Sequence, residues 1–174
     1  MKVCTALITL LTVSLLVGPA AAQAKLERLY VIECGERTAP DVAPWTPGVN
    51  VGKPVDFVDN CYLIKHGTDW MVWDTGLADT IFTAPSSDPN AWKRNKSLAG
   101  ELDKIGVKPS DIKYIAVSHT HPDHIGNVEL FPQALLLVQK GEYDWPGPDG
   151  KPRFCRHIPP RPWKATSTCS VTAA

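Results

Sequence analysis

The sequence has no excess of charge of either sign. Its 174 residues contain 18 Lys and Arg against 18 Asp and Glu, and the basic residues form no block or stripe. Proteins that bind nucleic acid or anionic membrane surfaces usually concentrate positive charge in one segment or on one face. Nucleic acid is therefore not an expected partner.

Long apolar runs are also absent, except at the start of the chain. Lys2, the apolar stretch at 3–17 and the small residues up to Ala24 are typical of a secretory signal peptide. That stretch is short for a membrane span, and no later segment approaches the roughly 20 apolar residues that a span requires. We predict removal of residues 1–24 and export to the periplasm or outside the cell, with no integral span afterwards. An uncleaved anchor is the alternative.

Regular structure is not expected at the C-terminal end of the chain. Apolar periodicity disappears from about residue 147, and Pro159, Pro160 and Pro162 disfavour helix and central strand. We therefore predict a partial domain at 25–154, followed by an irregular or disordered tail at 155–174. The composition of this tail is also typical of what a shifted reading frame or an early stop codon produces.

Four potential metal ligands stand within six residues, directly after an apolar run at 114–118: His119, His121, Asp123 and His124. Imidazole and carboxylate groups are standard ligands of zinc and related metals. Because side chains at i and i+2 of an extended segment point the same way, His119 and His121 can converge on one ion. A turn into a helix would aim Asp123 and His124 at a second ion, and such metal pairs catalyse hydrolysis. The alternative is a histidine-rich surface turn.

This motif and two earlier segments resemble one known family. SHTHPDHIGN at 118–127 contains the H-x-H-x-D-H pattern of the metallo-β-lactamase superfamily. DNCYLIKHG at 59–67 and WMVWDTGL at 70–77 are similar to its N-acyl homoserine lactonase-like branch. The resemblance covers roughly residues 29–154. It implies an α+β fold, the N-terminal half of the αββα sandwich, and a metal-dependent hydrolase of lactones or related cyclic esters.

The resemblance also implies a role for each residue of the motif. His119 and His121 would bind a first zinc ion, and Asp123 and His124 would bind a second. Asp123 would in addition be catalytic, because it relays protons. Asp74 would support the metal-binding loop from behind the ligands. No other cofactor is implied, and the partner would be a small lactone-like molecule.

Part of the family's ligand set has no counterpart in this sequence. The complete site takes a third histidine, a bridging aspartate and a last histidine from its C-terminal half, but no Gly-His-Thr-x-Gly-type segment follows the motif. Outside the motif only His66, expected in an exposed turn, and His157, in the proline-rich tail, remain. The alternative is therefore a non-catalytic truncated fragment with a partial zinc site, and whether this chain is an active enzyme stays open.

The distribution of apolar runs predicts a β-β-β-α-β-α-β order. Two runs around the turn at 65–69 predict a β-hairpin, and Gly106 is expected to end a helix at 97–105. One sheet face would lack the layer that normally covers it, which favours self-association. The predicted strands are 29–32, 61–64, 70–73, 112–117 and 134–138, with short helices at 125–130 and 141–145.

Two other motifs leave further alternatives open. The Asp-Thr-Gly triplet at 74–76 also occurs in aspartic proteases, which need no metal. Trp45 and Trp92 lie in predicted loops, where they could line a substrate cleft or form an aromatic binding surface. Trp70 and Trp73 are expected to pack within a strand.

The cysteines do not define a disulfide framework by their spacing. Four would remain after cleavage and could form disulfides in an exported protein, with connectivity undetermined. Cys61 lies in an apolar run and is predicted to be a small buried residue rather than a reactive one. The four are Cys34, Cys61, Cys155 and Cys169.

Overall fold

The computed structural model describes residues 25–146, 150 and 154, together with the backbone of Val171–Thr172. The predicted signal peptide at 1–24 lies outside these residues, and so does nearly all of the predicted tail, including His157. The domain boundaries and export therefore stay predictions. Within the described part, no helix has the length and apolar character needed to cross a membrane.

One sheet contains all the described strands, in their order along the chain. The strands are β1 (Leu26–Ala39), β2 (Val55–His66), β3 (Asp69–Trp73), β4 (Ile112–Val117), β5 (Leu135–Gln139) and β6 (Val171–Thr172). The first three pair antiparallel, β3, β4 and β5 are parallel, and β6 runs antiparallel to β5. The predicted hairpin is confirmed, and β1 is longer than predicted because its second half pairs with residues 55–60 of β2.

Among the described residues, four short α-helices connect or follow the strands. They are α1 (Thr80–Thr83), α2 (Leu98–Ile105), α3 (Pro122–Ile125) and α4 (Lys140–Asp144), with 3-10 turns at Pro109–Asp111 and Val128–Leu130. Helix α2 is confirmed: the Ser97 hydroxyl caps its first turn, and Gly106 ends it in the left-handed conformation. The helix predicted at 125–130 was wrong in its bounds. Helix α3 begins earlier, at Pro122, whose fixed φ suits a first helical position.

The sheet has one covered face and one open face. On the covered face, Leu98 and Leu102 of α2 pack with buried apolar side chains of β1 to β5. On the open face, Leu29, Val31 and Trp73 keep between 43% and 62% of their surface exposed. The predicted packing of Trp73 was therefore wrong, because its position in β3 points it to the open face. The described part thus contains one sheet and one covering layer, while self-association stays a prediction.

A disulfide joins β1 and β2 in the covered core. Cys34 lies at an irregularity in the register of the two strands, and Cys61 is almost opposite. Both side chains are fully buried, and their sulfur atoms are bonded. The prediction that Cys61 is a small buried residue is confirmed, with the addition of a covalent partner that the spacing did not identify.

Candidate metal centre

The histidine motif lies at the carboxyl end of β4. The ring centroids of His119 and His121 are 4.6 Å apart, and those of His119 and His124 are 4.0 Å apart. The Asp123 carboxylate lies 3.8 Å from Nε2 of His124. The structure therefore brings the four predicted ligands together, because β4 delivers the first two and the turn into α3 folds the last two back over them.

Asp74 holds this loop from the neighbouring strand. Its carboxylate accepts hydrogen bonds from the backbone N–H and the hydroxyl of Ser118, both at 2.7 Å. It also lies 2.9 Å from Nδ1 of His124. Asp74 itself adopts a left-handed φ of 55°, and its N–H donates to the carbonyl of Ala116. When a carboxylate fixes Nδ1 of an imidazole, Nε2 is left to face a metal.

The hydrogen bonds around Asp74 also set the local charges. Burial alone would raise the pKa of Asp74, but the hydrogen bonds with His124 and Ser118 hold it below its ordinary value. The same hydrogen bond to Asp74 raises the pKa of His124. Burial lowers the pKa of His119, and the neighbouring His124 and His121 lower it further. The cluster therefore combines an imidazole of lowered pKa, His119, with a hydrogen-bonded imidazole–carboxylate pair, His124 and Asp74.

Thr120 and Glu142 fix the segment between the first two histidines. Thr120 is fully buried, and its N–H and hydroxyl each donate to Oε2 of Glu142 at 2.9 Å. These hydrogen bonds lower the pKa of Glu142. Because Thr120 is anchored inward, His119 and His121 on either side of it are directed the other way. No local pattern predicted this partnership, because Glu142 lies 22 residues further along the chain.

Asn127 fixes the other end of the motif. Its buried amide donates to the carbonyls of Thr75 and Leu77, at 2.7 Å and 2.6 Å, and accepts from the N–H of Asp79 at 2.7 Å. Next to it, Gly126 approaches the loop after β3 so closely that a Cβ there would lie 2.2 Å from the backbone nitrogen of Ala78. Asn127 was part of the resembling segment, but its sequence position did not reveal this role.

A second buried carboxylate lies near the motif. Asp59, on β2, is only 6% exposed, and its Oδ2 atom has no hydrogen-bond partner. Burial raises the pKa of Asp59 to about 6; the charges of Asp123 and Asp74 raise it too, while those of His124 and Arg94 oppose them. The sequence marked Asp59 only as the first residue of a resembling segment.

A cleft of about 590 Å³ opens beside the motif. Aromatic side chains form one part of its wall, with the Trp45 and Phe57 ring centroids 4.6 Å apart. The guanidinium carbon of Arg37 lies 5.9 Å from the centroid of the Trp92 ring. Trp45 and Trp92 both line this cleft, while a role in binding substrate stays a prediction. The remaining lining comes from Val58, Asp59, Asn60, Tyr62, Asp74, His121, Pro122, Asp123 and His124.

The chemistry of these donors fits part of a divalent metal site. Imidazole and carboxylate ligands suit zinc, and the charges of Asp59, Asp74 and Asp123 all act on His124. Asp59, whose Oδ2 atom has no hydrogen-bond partner, lines the same cleft as the other three residues. Within the part of the chain that the structure describes, however, no three His, Cys, Asp or Glu side chains are already arranged to hold an ion. The candidate ligand side chains lie near one another, but in this arrangement they do not form a complete coordination shell.

Comparison with known proteins agrees with the geometry. The model of the metallo-beta-lactamase superfamily matches residues 55–158. The N-acyl homoserine lactonase AttM of Agrobacterium fabrum is 30% identical over 106 residues, which cover 56% of this chain and 39% of AttM. AiiA, an N-acyl homoserine lactonase of Bacillus thuringiensis subsp. kurstaki, is 26% identical over 129 residues, which cover 68% of this chain and 51% of AiiA. The chain thus spans about half, or less, of the length of these relatives.

Solved structures show the same likeness. A quorum-quenching N-acyl homoserine lactone hydrolase superposes with a TM-score of 0.60 at 25% identity, covering 68% of this chain and 48% of that one. AidC, a dizinc quorum-quenching lactonase, superposes with a TM-score of 0.50 at 23% identity, covering 70% and 46%. The predicted fold class is confirmed.

Proposed function

The chain belongs to the metallo-β-lactamase superfamily, and from this membership we propose that it carries the N-terminal part of a metal-dependent lactone hydrolase site. The proposal depends mainly on one observation, which is that hydrogen bonds fix the side chains of the motif in position. Three imidazoles cluster beside a cleft, and a buried carboxylate orients one of them. Asp74 is engaged with Ser118 and His124, which favours a supporting role over the carboxylate pair of an aspartic protease.

His119, His121, Asp123 and His124 would hold the metal. A divalent ion bound there supplies a Lewis acid for an ester carbonyl and makes water more acidic. Asp123 would accept a proton from the attacking water and return it to the leaving alcohol. Asp74 would keep His124 in position, and Glu142 would do the same for His119 and His121 through Thr120.

Lactones are the substrate class that the relatives and the cleft support best. The relatives are named N-acyl homoserine lactonases, and such molecules join a lactone ring to an apolar acyl group. The volume of the cleft falls in the range of roughly 300–1,000 Å³ that small-molecule sites occupy. Trp45, Phe57 and Trp92 would contact the apolar part of a substrate whose ester lies against the motif.

A non-catalytic fragment with a partial metal site is the second candidate. It is favoured by the open arrangement of the donors among the described residues. An open shell binds metal weakly and exchanges it readily. His66 does not provide a further metal ligand, because it lies exposed at the end of β2 and does not line the cleft.

Metal titration of the purified chain tests the proposal. Metal is removed with EDTA, zinc is titrated by calorimetry, and hydrolysis of an N-acyl homoserine lactone is followed by proton release. We expect zinc binding and zinc-dependent turnover in the unmodified chain, and weaker zinc binding with loss of turnover in His121→Ala. His66→Ala is the matched control and should behave as the unmodified protein does.

Each outcome has a separate meaning. Zinc binding with turnover supports the hydrolase, and zinc binding without turnover on lactones supports the non-catalytic fragment. Failure of the unmodified chain to bind zinc would refute both candidates. Turnover that continues in the presence of EDTA would show that the reaction does not need a metal.

A further inference from the structure

Asp59 is a buried charge that the four-ligand motif does not account for. It lies on β2, far from the motif in sequence, yet its side chain lines the same cleft as His121, Asp123 and His124. It is 6% exposed, and its Oδ2 atom has no hydrogen-bond partner. A buried, ionised carboxylate is costly unless hydrogen bonds or an opposite charge compensate it.

Two positively charged groups oppose the charge of Asp59, and His124 acts more strongly than Arg94. His124 lies 2.9 Å from the Asp74 carboxylate, which already offsets its charge. Arg94 forms an ion pair with Asp79 at 3.4 Å and donates to the carbonyls of Leu77 and Lys96, while its buried Nη2 atom has no partner. The other groups acting on Asp59 include two more carboxylates, Asp74 and Asp123. Asp59, Asp74 and Asp123 therefore place three carboxylates in one region, where a divalent cation would offset their mutual repulsion.

We propose that Asp59 belongs to the metal centre, where its carboxylate strengthens the binding of the divalent cation held by the histidine motif. This inference rests on the proposed function, because it requires that the motif binds a metal. It adds a carboxylate from β2 to a centre whose other donors all come from the loop after β4. Groups that surround the ligands of a metal site typically change metal affinity by about 10- to 100-fold when they are removed.

Zinc affinity of Asp59→Asn, measured by competition with a chromophoric chelator, tests this inference. Asparagine keeps the size of the side chain and removes its charge. We expect the dissociation constant for zinc to rise at least about 10-fold. Asp56→Asn, an exposed carboxylate on the same strand, is the matched control and should leave the constant unchanged within about twofold.

The stability of the metal-free protein distinguishes this role from a structural one. Removal of an uncompensated buried charge should leave the urea midpoint of metal-free Asp59→Asn equal to or above that of the unmodified chain. Unchanged zinc affinity in Asp59→Asn would overturn the inference and leave the proposed function standing. No zinc binding by the unmodified chain would instead refute the proposed function and this inference with it. If the asparagine variant does not fold, Asp59→Ser is judged by the same criteria.

Discussion

Loss of the Cys34–Cys61 disulfide should lower the free energy of unfolding by about 3.5 kcal/mol at 25 °C. The bond closes a loop with a sequence separation of 27. Without the bond, the unfolded chain gains the conformational entropy that closure of this loop had removed, and this entropy corresponds to the stated energy. The folded state should keep its strand pairing, because β1 and β2 are hydrogen-bonded along most of their length.

Loss of the disulfide should also weaken zinc binding at the candidate metal centre. The disulfide packs against Gly76, where an added Cβ would lie 2.3 Å from Cβ of Cys34. Gly76 belongs to the segment that carries Asp74, and its carbonyl accepts a hydrogen bond from the N–H of Gly126. A loosened contact at Gly76 would therefore weaken the support of the motif, and we expect zinc affinity to fall together with stability.

Urea unfolding followed by tryptophan fluorescence measures the effect. The chain is compared oxidised and reduced in a Cys4→Ser/Cys155→Ser/Cys169→Ser background, so that the reductant acts on the core disulfide alone. In the same background, Cys34→Ala/Cys61→Ala should match the reduced protein and be insensitive to reductant. A difference below about 1 kcal/mol between the oxidised and reduced chains would refute the loop-entropy argument. We also propose that the protein is exported, and an oxidising compartment would maintain this bond.

Two further predictions concern single side chains of the candidate metal centre. Asn127→Ala leaves the Thr75 carbonyl and the Asp79 N–H without a partner and removes one of the two donors to the Leu77 carbonyl, so it should lower the free energy of unfolding by about 3 kcal/mol or more. Asn95→Ala, an exposed control, should cost less than about 1 kcal/mol. Because the pKa of Asp59 is raised from 3.8 to about 6 by folding, the folded state holds its proton more tightly, and stability should fall as pH rises from about 4 through about 6, by up to about 3 kcal/mol. In metal-free protein, Asp59→Asn should lack this loss, so a pH series of urea midpoints that runs parallel for the two proteins would contradict the prediction.

Elements stabilised by local chemistry could be predicted from the sequence. Helix α2 follows from the spacing of Leu98 and Leu102 and from its capping residues, Ser97 and Gly106. The hairpin of β2 and β3 follows from two apolar runs around a polar turn. The grouping of the four predicted metal ligands belongs to the same class, because all four residues lie within one six-residue segment.

Residues whose roles depend on distant partners could not be predicted. Asn127 acts on a loop about 50 residues earlier, and Glu142 acts on Thr120 from the helix after the next strand. Neither residue type is unusual at its position, so no local pattern marks it. Both roles arise only because β3, β4 and β5 are adjacent and parallel, which brings their carboxyl ends to one edge of the sheet.

These distant contacts also bear on what weak metal binding would mean. Asp74, Glu142 and Asn127 each tie the motif to the sheet by at least two hydrogen bonds, and none of these bonds involves a metal. The conformational entropy of ordering the motif loop is therefore lost when the sheet forms, and not when an ion binds. A low zinc affinity would then result from too few metal ligands, and not from the cost of ordering the loop. Substitution of one donor, as in His121→Ala, should accordingly reduce affinity without changing the fold of the metal-free chain.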